Sequence, residues 1–167
     1  MRARRIMLPA ATTAAVVFCV LSAGWYAQAR SDDSLAYAKA RDTVLATARQ
    51  ELASLNTVDA SGVDAGLRQW LDATTGPLRE QLNRTGAADG ADLRKAGTST
   101  RGTVTDAAVT ELDTRAGTAR LIASVQVDIT PGTGAATTDR KRFDAALART
   151  AGGWKVTALT AVPVGAG

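Results

Sequence analysis

Hydrophobic and polar positions change their spacing twice along this chain. From Ile6 to Ala29 no charged residue interrupts the run. Such a segment is about 36 Å long as a helix at roughly 1.5 Å per residue, enough to span a hydrocarbon core of about 30 Å with some tilt. From Ser34 the apolar residues recur every three or four positions, as Leu35, Ala38, Leu45, Ala48, Leu52 and Leu55. This spacing places them on one stripe and predicts a core-facing helix to about Leu55, headed by the acids Asp32 and Asp33. Asn56 to Ser61 reads as a connection. Ser61-Gly62-Val63-Asp64 has capping-box spacing, and Leu67, Trp70 and Leu71 follow on one face of a short second helix. Gly76-Pro77 breaks that helix and starts a third, since proline is favoured in a first turn. Leu78 and Leu82 form its apolar pair. Thr85 to Gly90 reads as a Gly/Ala loop, with one last turn over Asp92 to Lys95.

Beyond Gly97 the period falls to two. Leu121, Ala123, Val125, Val127 and Ile129 alternate with Ile122, Ser124, Gln126 and Asp128, the mark of a half-buried strand. Phe143, Ala145 and Leu147 repeat the pattern, as do Trp154, Val156 and Ala158. Thr103 to Leu112 is a weaker strand. Ala151-Gly152-Gly153 supplies a tight hairpin, and Pro163 ends the last strand. The fold class is therefore α+β: a transmembrane helix, then about three helices packed on a four-stranded antiparallel sheet. The domains expected are a basic tail over 1–5, a signal-anchor helix over 6–29 and an extracytoplasmic domain over 30–167.

Flanking charge sets the orientation. Arg2, Arg4 and Arg5 precede the apolar run, and Asp32 and Asp33 follow it. The positive-inside rule keeps the N-terminus in the cytoplasm. Leu8, Val16, Val17, Phe18, Val20 and Leu21 are the insertion-favouring anchor residues, and Trp25 and Tyr26 stand where amphipathic rings suit the interface. The competing reading is a secreted domain. Ala27-Gln28-Ala29 has the form of a signal-peptidase site, with cleavage after Ala29, but the apolar run is longer than a usual signal core.

Composition narrows the chemistry. Three of the 20 basic residues precede the apolar run, and the rest nearly balance the 16 acidic ones. Their interleaving gives no basic footprint, so no nucleic-acid partner is expected. Arg140-Lys141-Arg142 reads as a solvated strand end, with an anionic-lipid or partner contact as the alternative. There is no histidine, and Cys19 is the one cysteine. Disulfides within the domain, His or Cys zinc sites, and His-based triads are thereby excluded. Asp106 and Asp128 lie on strands, but Asp128 should face away from Val127 and Ile129. Tyr37 is the one tyrosine outside the apolar segment. With no Tyr/Asp pair, phosphate-binding glycine loop, nucleophile elbow or EF-hand loop, no catalytic residue, cofactor or metal site is expected.

Leu55-Asn56-Thr57-Val58-Asp59, Leu71-Asp72-Ala73-Thr74-Thr75-Gly76-Pro77-Leu78, Val125-Gln126-Val127-Asp128 and Gly152-Gly153-Trp154-Lys155-Val156-Thr157-Ala158-Leu159 occur in an order and spacing that carry a resemblance. The chain resembles the mammalian cell entry (Mce)-associated membrane proteins of actinobacteria, and its Ala, Arg, Gly and Thr bias suits a high-GC genome. The resemblance implies the cone-shaped nuclear transport factor 2-like fold. It also implies an accessory role in an envelope complex that moves lipids or steroids, with the bilayer and transport-complex proteins as partners. Inner-membrane scaffold subunits of type IV secretion are similar. A lipid or sterol held in the mouth of the cone is the other non-catalytic reading. Thr57, Asp59, Thr75, Gly76, Pro77, Gly153 and Trp154 take structural roles: turning the chain between helices, starting the third helix, forming the hairpin and plugging the core.

Overall fold

The computed structural model describes the backbone of residues 4–163 and the side chains of residues 18–22, 24–26 and 32–163. The chain divides into two compact units, Met1–Ala40 and Arg41–Gly167. Three helices, α1 (Arg4–Leu55), α2 (Val63–Ala73) and α3 (Gly76–Ala96), precede four strands, β1 (Ser99–Asp113), β2 (Thr118–Thr130), β3 (Thr137–Thr150) and β4 (Gly153–Val162). The strands form one antiparallel meander in the order β1-β2-β3-β4.

The first unit is helical. Its described large apolar side chains are exposed: Phe18, Val20, Leu21, Trp25 and Tyr26, and further on Leu35 and Tyr37. Leu8, Val16, Val17 and the alanines at 27 and 29 lie outside the residues whose side chains are described. Among the described residues no helix is long and apolar enough to cross a membrane. The span expected over 6–29 therefore rests on the sequence.

The second unit carries the core. Val44, Ala48 and Leu52 of α1 are fully buried against Ala119, Leu121 and Ala123 of β2, Ala145 and Leu147 of β3, and Trp154 and Val156 of β4. Each large member contributes about 1.5–3 kcal/mol. The expected helical stripe is shifted: Val44 is buried where Leu45 was expected, Leu45 is half-buried, and Leu35 is exposed. The centre of the stripe follows the i, i+4 row through 44, 48 and 52, and Leu45 sits about 100° round from it. Val125, Val127 and Phe143 form a second, smaller cluster.

Two sequence expectations about the helices are corrected. Thr85 to Gly90 is not a loop but the middle of α3. Gly90 is buried there, and a Cβ on it would lie 2.8 Å from Leu67 Cδ1, so a glycine is what lets α2 approach. Nor does Ser61 form a capping box: Gly62 stands at the N-cap of α2 without a side-chain bond. Ser61 instead donates its N–H and hydroxyl to Asp59 Oδ1, at 2.8 and 2.7 Å.

The sheet adds a third correction. Ala146 pairs with Ala158 but Leu147 with Val156, so Thr157 is an extra residue. A bulge of this kind reverses the faces beyond it. Ala158 is therefore exposed and Leu159 half-buried, opposite to the simple alternation. β1 carries two such shifts, between Val104 and Asp106 and between Val109 and Glu111. They break its period and explain its weak pattern in the sequence.

Candidate functional site

The residues singled out in the sequence divide into a joint between helices and a hairpin, and both hold the sheet against α1. Thr57 Oγ1 donates to Ala53 O at 2.8 Å and accepts from the N–H of Gly102 at 3.0 Å. One hydroxyl thus closes the end of α1 and fastens it to β1. Val58 bridges to Thr100 beside it, with bonds of 3.0 and 2.8 Å in the two directions. The Asp59 carboxylate holds the turn that follows. The hydroxyl of Ser61, and then its backbone N–H, keep the Asp59 pKa below the ordinary aspartate value. Trp70 was expected on the apolar face of α2, with Leu67 and Leu71. It is half-buried, and its Nε1 donates to Ser54 O at 3.0 Å and Thr57 O at 3.1 Å.

At the other side of the domain the N–H of Thr75 donates to Val156 O at 2.9 Å, and Thr74 forms a parallel bridge to Val156. Gly76 has φ +55°, a left-handed conformation that glycine accepts without strain. Pro77 lies in the first turn of α3. Gly153, at φ +102°, closes the β3–β4 hairpin, and the buried Trp154 enters the core directly after it. Asp128 is half-buried and accepts from Gln126 Nε2 at 3.2 Å and Thr138 Oγ1 at 2.8 Å, on the face away from Val127.

A concavity of about 570 Å³ opens at one end of the sheet. It was not singled out in the sequence as a site. Three successive cross-strand rows line it: Asp106–Ser124–Arg142–Val162, Ala107–Ala123–Phe143 and Ala108–Ile122. Arg49 of α1 joins them. Ile122 and Val162 leave 51% and 42% of their surface open, so apolar side chains lie beside Arg49, Asp106 and Arg142. That mixture suits an amphipathic ligand or a partner surface, and the volume falls in the range of small-molecule sites. Its signal in the sequence was faint, because it depends on cross-strand register. Elsewhere, no group of three metal-ligating side chains occurs among the described residues.

The arrangement defines a class of fold. A long helix and two shorter ones pack on a four-stranded antiparallel meander, as the nuclear transport factor 2-like resemblance implied. No family model and no curated relative matches the chain. Solved structures do. An IcmL-like type IV secretion system protein from Legionella pneumophila matches with a TM-score of 0.62 at 12% identity, over 76% of this chain and 95% of that one. CagV, a VirB8 homolog of the type IV secretion system from Helicobacter pylori, matches at 0.57 and 13%, over 74% and 99%. The periplasmic domain of DotI matches at 0.59 and 12%, over 72% and 94%. At such identities the likeness shows the fold alone.

Proposed function

We propose that this chain is a non-catalytic accessory or scaffold component of a cell-envelope transport complex. Its hydrophobic segment anchors it in the membrane, and its α+β domain stands outside the cytoplasm. The observation that carries this reading is the shared fold: type IV secretion system proteins match over nearly their whole solved chains and about three-quarters of this one. The charge order around the apolar segment supports the orientation. The Mce resemblance points further, to a complex whose cargo is lipid or steroid. Cross-linking a tagged full-length chain in native membranes, followed by mass spectrometry, tests both levels. Envelope-complex subunits among the products are expected, and lipid-transporter subunits would fix the finer reading. A chain recovered free of membranes, with no envelope subunit attached, would overturn it.

A specific feature favours a second reading, a lipid- or sterol-binding module. α1 fills the inward face of the sheet with Val44, Ala48 and Leu52, so the ligand would lie instead in the cleft under Ile122 and Val162. Mass spectrometry of small molecules retained through purification decides this: a stoichiometric lipid lost in Ile122→Asp supports it, and an empty protein removes it. An isomerase assay on the same preparation is expected to show no turnover.

A further inference from the structure

Val44, Ala48 and Leu52 of α1 bury one face of the sheet. The opposite face is open at its centre, where Ala108, Arg120, Ile122 and Ala158 are exposed and Asp144 and Ala146 half-buried. Register groups four of these side chains in a block. Arg120 of β2 lies across from Ala146 of β3, and Ile122 from Asp144. The two charges therefore occupy one diagonal of the block, and the two apolar side chains the other. Ala108 continues the row of Ile122, and Ala158 the row of Ala146. Hollows of about 430 and 510 Å³ adjoin the block, both lined by Arg120 and Ala146.

Arg120 Nη2 and Asp144 Oδ2 meet at 3.2 Å, with 53% and 39% of the two side chains open to solvent. A pair so exposed contributes little to the stability of one chain. The other charges close by nearly cancel. Glu111 lies across from Arg120, and Asp106 shares a row with Arg142. An anionic membrane surface, or a strongly acidic or basic partner, finds no net charge here to recognise.

We propose that two copies of this chain pair through this face, about a two-fold axis along the Ile122–Ala146 diagonal. A two-fold contact requires one patch that is complementary to itself. This axis lays Arg120 of each copy over Asp144 of the other, and brings Ile122 and Ala146 against their own counterparts. The crossed charges fix the register, while the small alanines let the two sheets approach to about 10 Å. The size of the face fits as well. Four strands about 4.8 Å apart, with the 13 residues of β2 at about 3.4 Å each, give up to roughly 800 Å². An interface of standard size buries about 800 Å² on each partner. The pairing is independent of the transport-complex reading, and it competes with the ligand reading for Ile122.

The test is the mass of the full chain in neutral detergent, measured by light scattering with the micelle subtracted. A dimer is expected. Arg120→Asp alone and Asp144→Arg alone should each weaken it by about tenfold or more, because like charges then face each other across the axis. Mixed in equal amounts, the two single variants should pair again. Each supplies the charge that the other lacks, although the ion pair within each chain stays broken. Cys19 is exposed, so a second measurement starts from Cys19→Ser. In that background Ile122→Cys should join to its own counterpart through a short bismaleimide, and Arg68→Cys, exposed on α2, should not. A wild-type chain that is monomeric at every concentration would overturn the proposal. So would a dimer that survives both charge reversals, which would move the contact to the apolar helix. Variants that fail to pair on mixing, together with no cross-link at Ile122→Cys, would overturn it too. A monomer that retains a lipid would hand this face to the ligand reading.

Discussion

Trp70 Nε1 is shared between Ser54 O and Thr57 O, so a single indole satisfies two carbonyls at the end of α1. Trp70→Phe keeps most of the apolar body and removes the donor. A net loss of about 1 kcal/mol is expected, because both carbonyls lose the indole N–H while Ser54 O keeps only the N–H of Thr57. Denaturant unfolding measures it, and an unchanged midpoint would show that solvent replaces the indole freely. Asp113 acts at a turn. Its carboxylate accepts from the N–H groups of Ala116 and Arg115, both at 2.8 Å, and these bonds in that order hold its pKa below the ordinary value. A depressed folded-state pKa stabilises the fold above the unfolded value, and the contribution is lost as pH falls through the folded one. The thermal midpoints of wild type and Asp113→Ala should therefore differ at neutral pH and converge in acid, once the pH has fallen through the folded-state pKa. A gap that persists in acid would assign the effect to packing. The sequence showed Asp59 as a turn residue but not the Asp113 turn, since an aspartate two or three residues before its donors is common in any loop.

Element boundaries were legible where one period ran undisturbed. β2 alternates without a break, and Leu121, Ala123, Val125 and Val127 are all buried as the spacing predicts. In β4 the first half obeys the alternation, and the bulge at Thr157 then reverses it; Thr157 Oγ1 donates to Ala146 O at 3.1 Å across the irregularity. A bulge leaves no mark in the hydrophobic pattern beyond the reversal itself. In α3 the glycines misled for a different reason. Gly86 and Gly90 both weaken a helix locally, but Gly90 is fixed by its contact with Leu67, while a Cβ at Gly86 would meet nothing within 4 Å. Packing thus overrides propensity. Gly86→Ala should accordingly raise stability by about 0.4–1 kcal/mol. Gly90→Ala should lose that gain, because Leu67 must move aside. Equal effects of the two substitutions in a thermal melt would refute the packing account of α3.

At the scale of the molecule, the two units differ in what they bury. Every core residue in the two apolar clusters lies at or beyond Val44, within Arg41–Gly167, whereas the described large apolar side chains of the first unit are exposed. Exposed Phe18, Val20, Leu21 and Trp25 lie close together along one helix, and apolar side chains grouped in this way suit a membrane or a partner surface. The core of the second unit needs none of them. A chain shortened to begin at Ser31 is therefore expected to remain in solution without detergent. It should unfold in one cooperative transition, at the midpoint of the full-length protein in neutral micelles. Calorimetry of the two forms provides the comparison. A shortened chain that melts several degrees lower would show that the domain draws stability from the apolar helix, and the helix would then be part of the fold rather than its tether.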